Sequence, residues 1–342
     1  MEPANGCCPD CGPKAVYFDL YKETALGIKA ADALVPVGGP ATAMLAWIPE
    51  FTAWCAANGA PIDFVSSHLY PTDPQLPVAR DAFMDAIANA TQQAAAAGLP
   101  FYLTEFNAGL GSPADAHGYS MLDSSYAAAF LLHQHLLAQA LPNLKSMSFW
   151  TFTDWSFEEQ GVDPAPWAPG TTKFGIMNNE GVPKPAYRGL QMISDAAGDA
   201  TLPVAGAGAR VYAARAGAAA GAVDASATIA NGVVTVLLNN FNVSSAALPA
   251  AVNVTLTFSG LAAPLPAAGT LEIIDELHAN AMAAWGAAGA PLYSPPAVIF
   301  AELAASQLAP AGVALAPAGG GAVAATVTLT PYAMARLRFS II

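Results

Sequence analysis

Apolar and polar residues alternate in two distinct ways along the chain, and the change falls near residue 200. Before it, short β-like runs at 34–38, 62–68, 100–106 and 145–152 predict strands. Between and around them, apolar residues at the spacing of one helix face predict helices over 16–31, 44–58, 80–97, 119–140 and about 184–197. Strands that alternate with helices indicate βαβ units, so this part is predicted to be α/β with a parallel sheet.

After residue 200 the helical periodicity fades and short runs separated by Gly, Pro and Asn replace it. Several of these runs alternate polar and apolar side chains, as strands do when one sheet face is buried. The predicted strands are 233–238, 252–258, 270–274, 323–329 and 335–339. We therefore expect a domain at 1–200 and a β-sandwich at 201–342, the second acting as a packing or sugar-binding module.

Composition excludes two classes of partner. The 342 residues contain 12 Lys+Arg and 25 Asp+Glu, for a net charge of −13. A nucleic-acid binder needs a basic surface to neutralise phosphates, and anionic lipid repels an acidic chain. The mean hydropathy of +0.41 comes largely from alanine in stretches broken by Pro and Gly. No run resembles the roughly 20-residue apolar segment that spans a bilayer, so neither nucleic acid nor membrane is predicted as a partner.

The usual cofactor and metal patterns are absent from the sequence. Cys7, Cys8 and Cys11 contain one C-x-x-C, but no second Cys/His pair lies at zinc spacing, so a loop disulfide or free thiols are favoured. His133 and His135 lie two apart in a predicted helix and face different sides. Gly38-Gly39-Pro40 matches no nucleotide-binding glycine pattern. No metal and no cofactor are predicted.

Candidate chemistry lies just after the predicted strands of the first part. In a β/α barrel, the loops at the carboxyl ends of the strands build the active site. A carboxylate that closes an apolar strand can face a cleft, while sugars stack on aromatic side chains. Each candidate also has a structural explanation: a rim carboxylate, a hydrogen-bonded histidine, a core aromatic or a solvated acidic loop. The candidates are Glu105, His68, Tyr70, Trp150, Asp154, Glu158 and Glu159.

An ordered set of motifs gives these residues a common context. It resembles glycoside hydrolase family 39, the β-xylosidase and α-L-iduronidase family. The resemblance runs from residue 1 to about 200, and more loosely beyond. Its motifs are Glu2-Pro3, GGPAT at 38–42, DFVSSHLYP at 63–71, YLTEFN at 102–107, SFWTFTDWSFEE at 148–159 and FGIMNNEGVPKPAY at 174–187.

The resemblance implies a role for each candidate. Glu105 in YLTEFN matches the nucleophile, and Glu2 matches the general acid/base, with Met1 where the family has Asn. His68 and Tyr70 match the sugar subsite, and Trp150 the aromatic platform beneath the sugar. Glu158 or Glu159 would match the acidic residues that bind hydroxyls; which one corresponds is open because the loop from Asp154 to Glu158 is a residue longer than expected. Asp154 is a hydroxyl-binding candidate through its place in the same acidic run.

The family also implies a mechanism and a fold. Retaining glycosidases hold two carboxyl groups roughly 5–5.5 Å apart, one attacking the anomeric carbon while the other protonates the leaving oxygen. The implied activity is that of an exo-acting, β-xylosidase-like enzyme on a glycoside or oligosaccharide. The implied fold is a partial (β/α)8 barrel, strands four or five to eight, followed by the sandwich. Strands one to four are expected upstream of Met1, and a homo-oligomer or a complementary half-barrel could complete the barrel.

Two alternatives stay open from the sequence. The chain could be an inactive relative that binds carbohydrate or serves as a packing module. It could instead cleave α-L-iduronides or arabinosides. A uronide needs a cationic side chain near its carboxylate, and few Lys or Arg residues lie near the motifs, which favours a neutral sugar. Lys173, next to the FGIMNN segment, is a cation that could bind a uronide. The compartment is undetermined. Asn89, Asn242 and Asn253 each begin an N-glycosylation pattern that would fit secretion, and the chain shows no signal peptide.

Overall fold

The computed structural model describes residues 13–110, 120–154, 167, 174–205, 209–211, 223–244, 248–260, 267–291 and 294–341. The chain divides into two compact units. The described residues of the first fall within Met1–Leu110 and Leu141–Trp150, and those of the second within Gly111–Ala140 and Thr151–Ile342. No helix in the described ranges combines the length and apolar character needed to cross a bilayer.

The first unit is built on a four-stranded parallel sheet, as the alternation of strands and helices predicts. Its order is β1-β2-β3-β4, and every neighbouring pair is parallel. The strands are β1 (Gly38–Thr42), β2 (Phe64–His68), β3 (Phe101–Phe106) and β4 (Leu144–Phe149), and the helices are α1 (Lys14–Ala31), α2 (Ile48–Asn58) and α3 (Ala82–Ala96).

Local sequence explains where these helices lie and end. α3 buries one apolar face, formed by residues such as Phe83 and Ile87, as its helical spacing predicts. α2 has a proline in its first turn and stops at Gly59, whose φ of +63° suits a glycine C-cap. Phe18 of α1 packs against Phe51 of α2, with ring centroids 5.3 Å apart. This aromatic contact joins the two helices into one small core.

The prediction of a strand at 34–38 was wrong, because the strand begins where that segment ends. Leu34 is 90% exposed, whereas Gly39 of GGPAT is buried. A Cβ at Gly38 would lie 2.3 Å from the carbonyl oxygen of Phe64, so β1 approaches β2 too closely for any side chain there. The apolar run 34–37 suggests a strand, but the small residues after it are the ones that fit the sheet.

The second unit contains two β-sheets and four helices within the described ranges. The larger sheet has the order β11-β10-β14-β8-β7-β5, with β6 added in parallel to β7 and all other pairs antiparallel; the smaller one is β12-β13-β9. The strands are β5 (Ala200–Leu202), β6 (Ala209–Val211), β7 (Val223–Ala230), β8 (Val233–Asn239), β9 (Val252–Phe258), β10 (Ala268–Ile274), β11 (Ala311–Ala314), β12 (Ala316–Gly319), β13 (Ala322–Leu329) and β14 (Met334–Ser340). The helices are α4 (Ser125–Ala138), α5 (Pro185–Asp195), α6 (Met282–Ala287) and α7 (Pro296–Ala305).

Two hydrophobic layers hold this unit together. The antiparallel sheets share one core, in which the rings of Phe258 on β9 and Phe339 on β14 lie 4.7 Å apart. On the larger sheet's other face, Leu132 of α4 and Met192 of α5 pack against residues of that sheet. All five antiparallel strands predicted from sequence are present. The division into domains 1–200 and 201–342 stays a prediction, although α4 and α5 pack on the larger antiparallel sheet.

Candidate active site

The carboxyl end of the parallel sheet brings three predicted site residues onto neighbouring strands. His68 closes β2 and pairs in register with Glu105 on β3. Trp150 directly follows β4, and its backbone N–H donates to the carbonyl oxygen of Phe106 at 2.8 Å. Because parallel strands end at the same edge of a sheet, all three lie where ligand sites of α/β folds form.

Glu105 and Tyr70 form the central contact of this edge. Glu105 is half-buried, and its Oε1 accepts a hydrogen bond from the hydroxyl of Tyr70, which is 3% exposed. The pKa of Tyr70 is raised, first by burial and then by the hydrogen bond to Glu105. Tyr70 therefore keeps its proton and serves as a donor to the carboxylate.

Asp73 holds Tyr70 in place, a role that the sequence pattern does not predict. Its Oδ2 accepts from the backbone N–H of Tyr70 at 2.8 Å, and its own N–H donates to the carbonyl oxygen of Tyr70 at 3.0 Å. Burial raises the pKa of Asp73, with a further contribution from Glu105, while the Tyr70 N–H and His68 lower it. The signal in the sequence is Tyr70-Pro-Thr-Asp73, a turn in which an Asp side chain bonds the nearby backbone.

Asn107 is the second residue with a role that the sequence pattern does not predict, although it belongs to the motif YLTEFN. It is 1% exposed, and its Nδ2 donates to the carbonyl oxygen of Trp150 at 2.5 Å. Its Oδ1 accepts from the N–H of Ala108 at 2.6 Å. Asn107 thus fixes the backbone at Trp150 and leaves the indole half-buried at the sheet edge.

Asp154 lies in the second unit, in a buried ionic cluster. Its Oδ1 lies 2.5 Å from Nζ of Lys184 and accepts from the N–H of Gly175 at 2.9 Å. Lys184 lies equally close, at 2.5 Å, to Oδ1 of Asp123. Burial lowers the pKa of Lys184, but the two carboxylates raise it further, so the net pKa is above the ordinary value. The predicted contact of Asp154 with sugar hydroxyls stays a prediction.

The remaining candidates lie outside the described residues: Glu2, Glu158, Glu159, Cys7, Cys8, Cys11 and Lys173. Within the part of the chain that the structure describes, no three His, Cys, Asp or Glu side chains are grouped so that they could hold a metal ion. The described edge therefore presents the carboxylate of Glu105, held by a protonated tyrosine and flanked by His68 and Trp150. Such a carboxylate can act as a nucleophile or as a base.

A family model and two related sequences assign the chain to the same family. The model of the family described as Glycosyl hydrolases family 39 matches residues 12–308. A β-xylosidase of Caldicellulosiruptor saccharolyticus is 39% identical over 199 residues, which are 55% of this chain and 38% of that protein. A β-xylosidase of Geobacillus stearothermophilus is 30% identical over 206 residues, with the same two shares.

A solved structure supports the same relationship. The GH39 enzyme from Xanthomonas axonopodis pv. citri superimposes with a TM-score of 0.75 at 25% identity, covering 96% of this chain and 65% of that one. The chain thus spans about two fifths of the length of the curated relatives it matches.

Proposed function

Because the chain belongs to glycosyl hydrolases family 39, we propose that it hydrolyses O-glycosidic bonds as a retaining, exo-acting enzyme with a β-xyloside substrate. The two β-xylosidases compared above carry that activity in their names. The observation that carries the proposal is the Tyr70–Glu105 hydrogen bond at the carboxyl end of a parallel sheet. This hydrogen bond fixes the Glu105 carboxylate in one orientation, which the first, covalent step of a retaining mechanism requires.

In the proposed mechanism, Glu105 attacks the anomeric carbon and forms a glycosyl-enzyme ester while the leaving oxygen takes a proton from Glu2. Water then attacks the same carbon, gives its proton to Glu2, and releases Glu105 as a carboxylate. Tyr70 orients one carboxylate oxygen, which leaves the other to form the bond. His68 is proposed to contact sugar hydroxyls and Trp150 to lie beneath the ring; Glu158 or Glu159 would add a further hydroxyl contact.

We also propose that the four parallel strands are part of a (β/α)8 barrel that precedes the β-sandwich. Two features of the first unit support this. The sheet order follows the chain order, as in a barrel, and His68, Glu105 and Trp150 lie at or just after strand ends on one edge. A barrel rim is also the arrangement that could bring Glu2 and Glu105, 103 positions apart in the chain, to the spacing of retaining carboxylates.

The first experiment measures hydrolysis of an aryl β-xyloside by the wild-type chain and by Glu105→Gln. Loss of the nucleophile should lower kcat by at least about 10³-fold, because the amide cannot form the ester. Glu23→Gln is the matched control, since Glu23 is exposed on α1. Equal rates for wild type and Glu105→Gln would remove Glu105 as the nucleophile.

Azide distinguishes the roles of the two glutamates. In Glu105→Ala, azide can occupy the nucleophile's space and attack from that face, so the product is the α-xylosyl azide. In Glu2→Ala, azide replaces the water that attacks the glycosyl-enzyme, so the product is the β-xylosyl azide. NMR of the products reads the anomeric configuration. The reverse pattern would exchange the two assignments.

A further inference from the structure

A buried lysine between two aspartates lies in the second unit, and the mechanism proposed above does not use it. Lys184 is completely buried, and its Nζ lies 2.5 Å from both Asp123 Oδ1 and Asp154 Oδ1. The side chains of Asp123 and Asp154 are 0% and 3% exposed. One ammonium and two carboxylates are thus held together in the interior. Burying three charges is costly, so the cluster calls for a role beyond filling space.

The cluster fixes one short segment of backbone, Thr151–Asp154. This segment pairs with 174–177: Ile176 N–H donates to the Thr151 carbonyl at 2.9 Å, and Asp154 N–H donates to the Met177 carbonyl at 2.9 Å. Lys184 reaches both segments: its side chain contacts Asp154, and its N–H donates to the Ile176 carbonyl at 2.9 Å. Both strands of this pairing are therefore tied to one lysine.

Gly175 makes the pairing unusually close. A Cβ at Gly175 would lie 2.2 Å from the Asp154 nitrogen and 2.3 Å from the Thr153 carbonyl carbon. The Gly175 N–H instead donates to Asp154 Oδ1, the same oxygen that Lys184 contacts. The Asp154 side chain is thus occupied by a lysine and a backbone amide at an almost fully buried position, which suits a structural anchor better than an exposed hydroxyl ligand.

We infer that Lys184 and Asp154 form a brace that positions the segment after Trp150, and that Asp154 serves sugar binding through this backbone rather than by touching the sugar. Thr151 is the next residue in the chain after Trp150, and the acidic candidates Glu158 and Glu159 follow Asp154. The inference rests on the proposed function for its effect on substrate. The brace itself is a property of the second unit alone.

The test compares Lys184→Met, Asp154→Asn and the control Lys145→Met, whose lysine is exposed. Two readouts are taken on each protein: hydrogen exchange of the amides of 151–154 and 175–177, and kcat and KM on an aryl β-xyloside. Lys184→Met should speed exchange in these amides and lower kcat/KM by about 100-fold, mostly through KM, because misplacing a positioning element by about 1 Å costs that much.

Asp154→Asn covers the case in which Lys184→Met does not fold. Its amide oxygen can still accept from Gly175, and Lys184 stays paired with Asp123, so the fold should survive with faster exchange in 151–154 and KM raised about tenfold. A raised KM with unchanged exchange would overturn the inference, since it would make Asp154 a direct sugar ligand. An unchanged KM in a variant with faster exchange would also overturn it, since the brace would then stabilise the fold without serving sugar binding. If the wild type shows no turnover, the proposed function fails. Hydrogen exchange of the amides of 151–154 and 175–177 still tests whether Lys184 and Asp154 hold this backbone in place.

Discussion

At the scale of the residue, the Tyr70 hydroxyl is the group that most directly controls Glu105. Tyr70 is buried, keeps its proton and donates to Oε1. A donor on a carboxylate stabilises its negative charge and fixes its orientation, and a hydrogen bond to a charged group contributes about 1.5–3 kcal/mol. The same hydrogen bond makes the Glu105 carboxylate a weaker nucleophile. This loss is offset if Tyr70 holds the carboxylate in the orientation from which it attacks.

Tyr70→Phe tests this contact. The change removes one oxygen and leaves the ring, so kcat/KM on an aryl β-xyloside should fall by about 10- to 100-fold. Tyr21→Phe is the matched control, because the Tyr21 hydroxyl donates to the Pro61 carbonyl at 2.8 Å in the same unit. A loss as large in Tyr21→Phe would mean that the effect is general rather than directed at Glu105.

At the scale of the element, the close pairing of 151–154 with 174–177 depends on a glycine. Gly175→Ala should lower the free energy of unfolding by about 3 kcal/mol, the upper part of the range for overpacking, because the nearest contacts are backbone atoms that cannot rotate away. Urea unfolding measures it. Gly286→Ala in α6 is the control: nothing lies within 4 Å of its Cβ, so this change should be neutral or stabilising by up to about 1 kcal/mol.

The sequence predicts helices and strands well where the buried positions recur at a regular spacing of apolar residues. It predicts them poorly where small residues are buried because two backbones approach closely. Strands β2 to β4 of the parallel sheet, α3 and the five antiparallel strands follow from the sequence pattern. β1 does not, because glycines have no apolar side chain to mark a buried strand. Gly38 is needed there because a side chain would collide with Phe64 of β2. α7 was also missed, since its alanine-rich segment lies in a part of the chain where strands predominate.

The same reasoning explains what could be predicted of the site. Glu105, His68 and Trp150 stand out because polar or aromatic side chains follow apolar strands. Asp73 and Asn107 act through backbone groups of Tyr70 and Trp150. No spacing rule marks such residues, because their partners are set by how neighbouring strands and turns meet.

At the scale of the whole molecule, a buried carboxylate couples the stability of the second unit to pH. Glu302 on α7 is 0% exposed; its oxygens accept from Trp167 Nε1 at 3.2 Å and Ser294 Oγ at 2.9 Å. Glu180 is a second carboxylate at this place, accepting from the Ser294 N–H at 3.2 Å. Burial raises the pKa of Glu302, the two hydrogen bonds lower it, and Glu180 raises it.

The sign of the pH effect follows from the raised pKa. The folded state binds the proton more tightly than the unfolded state, so the stability from the protonated form is fully present below the ordinary glutamate pKa of 4.5. It is lost as the pH rises through the higher pKa of the folded state. Glu302→Gln should therefore gain stability over wild type as the pH rises from about 4.5 to 7. Urea unfolding across this range measures the difference, and a constant difference would contradict the assignment.

The role of Glu105 as nucleophile is tested most directly by trapping the covalent intermediate that the retaining mechanism requires. A 2-deoxy-2-fluoro-β-xyloside with an activated leaving group reacts at the first step, while the fluorine slows the second by destabilising the oxocarbenium-like transition state. Proteolysis and mass spectrometry of the treated wild-type chain should place the fluoroxylosyl group on the peptide containing Glu105, with no label on Glu105→Gln. Hydrolysis of the aryl β-xyloside with the label on another residue would contradict the assignment of Glu105 as the nucleophile.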